Sequence, residues 1–187
     1  MDITHITVTD VTNIGDPFVL RVGGTYYLYA TSFKDGFDCR TSDDLVHWSE
    51  PRMAYTRGER SFGYTDFWAP EVVFHEGKYI MHYSARRKGD DTLLIGVAVS
   101  DRPEGPFVDV TDGPMFDFGY AAIDGHVLRD GKDSYLFYSR DCSQYVVDGR
   151  RESHIYAVRL DDSLTRTVGE PVHISGPDCP WETVTGD

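Results

Sequence analysis

One unit recurs three times along this 187-residue chain, and the recurrence restricts its architecture more than any other feature. The segments are DPFVLRVGGTYYLYATS from Asp16, APEVVFHEGKYIMHYSA from Ala69 and DGHVLRDGKDSYLFYSR from Asp124. The first two superpose without a gap, matching Pro17 with Pro70, Gly24 with Gly77 and Tyr26 with Tyr79. The third starts about twice that period downstream of Asp16, with one extra residue expected before Tyr135. Each reads as an apolar strand, a Gly-containing turn and an aromatic-rich strand, which is the pattern of a hairpin. Behind each hairpin comes a weaker pair of strands, in FDCRTSDDLVHWS, LLIGVAVSDRPEGPFVD and HIYAVRLDDSLT, each bent at Ser-Asp or Asp-Asp.

One unit is therefore four antiparallel strands in roughly 54 residues, the size of a propeller blade. Such a sheet cannot bury both faces alone, and radial stacking solves that problem. A β-sandwich would lack the long repeat and a parallel β-helix would repeat at a shorter period. WD40 and kelch signatures are absent, since Gly23-Gly24 occurs in one unit alone. The fold class predicted is all-β, a β-propeller, with 1–187 forming part of a single domain whose repeats start near 16, 69 and 124.

The net charge of -13 excludes nucleic acid, anionic membranes and polyanionic substrates as partners, because each needs clustered Lys and Arg. A neutral carbohydrate remains compatible. Cys39, Cys142 and Cys179 are odd in number and lack CxxC spacing, which points away from a disulfide framework or zinc site. The start, MDITHITVTD, has neither a basic segment nor an apolar one, and no apolar run approaches the ~20 residues of a membrane span. The localisation expected from these features is cytoplasmic.

The phase of the repeat carries chemistry. Asp16 and Asp124 occupy the same position in their units, at the start of the first strand, which lines the channel of a propeller. The middle unit has Ala69 there, directly after Trp68. Two carboxylates and a flat ring around one funnel suit proton transfer to and from a stacked sugar. Phe33, at the end of the first hairpin, joins Trp68 and Ala69 as a substrate-binding candidate. Glu71 and His126 lie two residues beyond the in-phase position, where a bond between blades is the simpler expectation. Glu104-Gly105-Pro106 falls in an outer turn and is read as a turn.

Gly15-Asp16-Pro17, Phe67-Trp68-Ala69-Pro70 and Ile123-Asp124-Gly125, in this order, resemble glycoside hydrolase family 43, and Pro180-Trp181-Glu182 is similar to the approach to that family's third motif. Gly125 stands where many members have Pro. The resemblance implies a five-bladed β-propeller, of which this chain holds about three and a half blades, and an inverting hydrolase of arabinose- or xylose-containing glycans. It implies Asp16 as general base, Asp124 as the group that tunes and orients the acid, and Trp68, Ala69 and Phe33 around the sugar. The acid it implies is a Glu in a Glu-Gly-Pro motif on the fourth blade, so the remaining C-terminal blades, or a second chain, are needed to close the ring. No cofactor is expected to be required; a structural calcium is common in the family, but the sequence identifies no ligands for it. A non-catalytic carbohydrate-binding propeller is the rival reading. Fructan-active propellers open with Asn-Asp-Pro, and Gly15 argues against them.

Overall fold

The computed structural model describes residues 9–32 and 35–182. Three four-stranded antiparallel sheets follow one another along the chain. Blade 1 consists of β1 (Phe18–Val22), β2 (Thr25–Tyr29), β3 (Gly36–Ser42) and β4 (Arg52–Thr56). Blade 2 holds β5 (Gly63–His75), β6 (Lys78–Arg87), β7 (Leu93–Ser100) and β8 (Val108–Asp109). In blade 3, β9 (Ala122–Asp130) and β10 (Asp133–Arg140) precede a small hairpin of β11 (Val146–Val147) and β12 (Arg150–Arg151). That blade ends with β13 (His154–Leu160) and β14 (Thr167–Ser175), after which Pro180–Glu182 form a 3-10 turn.

The three inner hairpins share one register. Phe18 pairs with Tyr29, Glu71 with His82 and His126 with Phe137. Val22 and Thr25, His75 and Lys78, and Asp130 and Asp133 each close a two-residue turn. The extra residue expected before Tyr135 is thus not present in the third hairpin. In the second turn both central residues, Glu76 and Gly77, have left-handed backbones (φ 48° and 81°), the geometry that matches strand twist. The recurring Ser-Asp and Asp-Asp bends have a physical role as well. Asp44 accepts the amides of Val46 and His47, both at 2.8 Å, and Asp161 accepts those of Thr165 and Arg166, both at 3.2 Å. Short side chains there replace the hydrogen bonds that the turning backbone gives up.

Two cores lie between successive blades. The first packs Tyr29, Phe37, Tyr55, Phe67 and Tyr83; the second packs Ile80, Ile95, Leu136, Tyr138 and Val158. Blade 2 contributes to both, which explains why KYIMHYSARR and LLIGVAVS are buried almost throughout rather than on alternate residues. Gly96 is needed in this tight stack, because a Cβ there would sit 2.5 Å from the Tyr83 ring. His82 crosses the second seam, fully buried, with Nε2 2.9 Å from the Leu164 carbonyl of blade 3. The far face of blade 3 exposes Leu128, Val168, Val172 and Ile174.

Candidate active site

The inner strands β1, β5 and β9 are neighbours in that order, which brings together Asp16 just before β1, Ala69 midway along β5 and Asp124 near the start of β9. Asp16, Ala69 and Asp124, the three in-phase residues, all adopt left-handed backbones, with φ of 50°, 43° and 59°. Aspartate visits this region more readily than most residues, but alanine does not. The kink therefore belongs to the repeat position rather than to the acid, and the surroundings hold it.

Hydroxyl groups on the preceding blade do the holding. Thr31, just beyond β2, accepts the amide of Ala69 at 3.0 Å, and Ser84 on β6 accepts the amide of Asp124 at 2.9 Å. Thr31 also donates its proton to Asp16 Oδ2, and its own amide donates to the Gly15 carbonyl at 3.0 Å. Trp68 pairs with Ser84 across β5 and β6. Half-buried Trp68 and Ala69 consequently sit between the two carboxylates, with Asp16 linked on one side and Asp124 on the other.

Both carboxylates are accessible, yet they are electrically unequal. Asp124 is raised to about 6, chiefly because protein atoms crowd its carboxyl and strip water from it. The residue as a whole stays exposed, so the crowding is local to the carboxyl side. The negative charges of Asp16, Asp141 and Glu71 push in the same direction, in that order. An acid that holds its proton near neutrality beside a second carboxylate is the arrangement that separates acid and base roles.

Asp141 was not picked out by the sequence. It is buried at the end of β10, where its amide donates to the Ala121 carbonyl at 2.9 Å and its Oδ2 accepts from Ser143 at 3.0 Å. Thr31 and Ser84 were also missed, although a hydroxyl recurs at the same position in each unit as Thr31, Ser84 and Ser139. Glu71 and His126 bond each other across blades 2 and 3, Oε2 to Nδ1 at 2.7 Å, as the interblade reading expects. Glu104 lies in the loop after β7, at the hairpin end of blade 2 and away from Ser84, where it faces Arg102 at 3.7 Å. Phe33 lies outside the described residues.

Among the described residues the convergent group of metal-ligating type is Asp178, Cys179 and Glu182, and its thiol is unsuited to calcium, an ion that takes only oxygen. Glu182 Oε2 is moreover engaged by the amides of Asp178 and Cys179, both at 2.9 Å.

Radially stacked four-stranded blades with two carboxylates and a tryptophan along the inner strands define a β-propeller with an acidic channel site. The chain belongs to glycosyl hydrolases family 43, whose family model matches residues 11–186. An extracellular endo-alpha-(1->5)-L-arabinanase of Thermotoga petrophila is 30% identical over 79% of this chain and 36% of its own length. Among solved structures, a thermostable family-43 glycoside hydrolase is 39% identical with a TM-score of 0.85, covering 94% of this chain and 57% of that one. The endo-arabinase of Bacteroides thetaiotaomicron is 25% identical with a TM-score of 0.81, covering 92% of this chain and 60% of that one. The chain spans half or less of the curated relatives' length, with shares of 36%, 46% and 50% for three of them. The expectation of a cytoplasmic protein is overturned by the extracellular relative. It rested on how the sequence begins, and secreted proteins lose their leaders on export.

Proposed function

We propose that the protein carrying this chain hydrolyses arabinose- or xylose-containing glycans with inversion at the anomeric carbon. Asp16 takes a proton from the attacking water. Asp124, whose carboxyl is raised to about 6, orients the general acid and tunes its proton affinity. Trp68 and Ala69 line the sugar between them. The observation that carries this reading is the pair of in-phase carboxylates from blades 1 and 3, close enough for Asp16 to raise Asp124. The arabinanase and endo-arabinase among the relatives support the substrate class.

Inversion requires a general acid about 6.5–9.5 Å from the base, on the other side of the sugar. Glu104 is too remote in the fold, and Glu71 is engaged with His126. We place the acid on a further blade, seated on the apolar face of blade 3 at Leu128, Val168, Val172 and Ile174.

The test is turnover of linear arabinan and of nitrophenyl arabinofuranoside and xyloside by the full encoded protein and by Asp16→Asn. Loss of a general base typically costs 10²–10⁴-fold. A variant keeping more than about a tenth of wild-type kcat refutes the assignment. Sugar binding without turnover in the wild type favours the non-catalytic propeller instead.

A further inference from the structure

We propose that Thr31 is a positioning residue for Asp16, fixing the base through a hydroxyl that is itself fixed by blade 2. The inference rests on the reading of Asp16 as base. Three contacts carry it. The Thr31 amide is bound to the Gly15 carbonyl at 3.0 Å, which anchors the threonine backbone to the residue preceding the base. The Ala69 amide donates to Thr31 Oγ1 at 3.0 Å, and Oγ1 in turn donates to Asp16 Oδ2.

A hydroxyl has one proton to give. With the Ala69 amide occupying a lone pair, the rotor is set and that proton is aimed at the carboxylate. One Asp16 oxygen is thereby anchored, and Oδ1, which has no hydrogen bond to another described residue, keeps its lone pairs for the water. Because the anchor comes from blade 2 as well as blade 1, the orientation of Asp16 is tied to the seam beside Trp68 and Ala69.

The repeat separates this role from a merely structural one. Ser84, at the same position in blade 2, makes the equivalent bond to the amide of the next in-phase residue, Asp124, at 2.9 Å. Its own blade carries Ala69 where blade 1 carries Asp16, so it has no in-phase carboxylate of its own to hold. The amide tie is general to the blades; the carboxylate contact is added where the base stands.

Valine keeps the shape of threonine and removes the hydroxyl, whereas serine keeps the hydroxyl. In the full encoded protein, Thr31→Val is expected to lower kcat by about 10–100-fold with KM changed less than about 3-fold. Thr31→Ser is expected to recover most of the rate. Thr25→Val, which removes a threonine hydroxyl bonded to Asp43 at the far end of the same blade, serves as the control. Amide exchange at Ala69 reads the tie without turnover, and is expected to accelerate in Thr31→Val and to recover in Thr31→Ser. Full kcat in Thr31→Val overturns the inference while Asp16→Asn remains inactive. Full activity in Asp16→Asn overturns instead the reading on which it rests. If the wild type turns over no glycan, that reading falls, and unchanged exchange at Ala69 overturns the tie itself.

Discussion

Replacing His82 with leucine should remove a specific part of the protein's acid sensitivity. The imidazole is fully buried in the seam between blades 2 and 3, and burial lowers it to about 4 from an ordinary 6.5. Its Nε2 faces the Leu164 carbonyl, which only accepts, so Nε2 carries the proton and Nδ1 presents a bare lone pair. Among the described residues, no hydrogen-bond partner reaches that Nδ1. Adding a proton there would create a buried charge and a donor with nothing to bond. Since the folded state holds the neutral form, the unfolded chain binds the proton first as pH falls. Stability from this group is therefore complete above about 6.5, declines below it, and is fully lost below about 4. A gap of about 2.5 pH units at 1.36 kcal/mol each corresponds to roughly 3 kcal/mol. Leucine at this site leaves the Leu164 carbonyl without its donor, a penalty of about 1–3 kcal/mol that does not vary with pH. Urea unfolding followed by tryptophan fluorescence, for both proteins between pH 7.5 and pH 4, gives the difference directly. The wild type should lose about 3 kcal/mol more than His82→Leu across that range. Parallel stability curves would refute the argument and mean that His82 is protonated, or exposed, in the folded state.

Two further outcomes follow from the site. In Asp16→Asn the neighbouring negative charge is gone, so the Asp124 carboxyl should titrate below its value of about 6, as read by carbon NMR of the labelled side chain; an unmoved titration would separate the two groups. Residues 1–187 assayed alone should show no glycosidase turnover and should gain it when the rest of the encoded protein is supplied, because a positioned acid contributes 10²–10⁴-fold. Robust turnover by 1–187 alone would place the acid within these residues.

Much of the fold was legible because a repeat makes three independent statements of one local structure. Pro17 with Pro70 and Gly24 with Gly77 set the hairpins, and the shared phase of Asp16, Ala69 and Asp124 reappears as three left-handed residues, just before β1, midway along β5 and near the start of β9. What the sequence concealed depends on contacts between blades. Thr31 and Ser84 look like ordinary polar strand ends; only the neighbouring blade shows that each takes the amide of an in-phase residue. Asp141 acts on Asp124 because the chain beyond β10 buries it there, and no periodicity encodes that. His82 sits in an aromatic-rich strand, and its partner Leu164 is 82 residues away. Two histidines also meet in space: His154 Nδ1 lies 2.9 Å from His173 Nε2, across β13 and β14.

The most direct test of the central claim is the configuration of the first product. Proton NMR of arabinan or a nitrophenyl arabinofuranoside, recorded within minutes of adding the full encoded protein, distinguishes the new anomer before mutarotation blurs it. If Asp16 activates water for direct displacement, an α-linked arabinofuranoside must release β-arabinofuranose first. Initial release of the α-anomer would mean retention, with a carboxylate attacking the sugar itself, and would contradict the assignment of Asp16 as a general base.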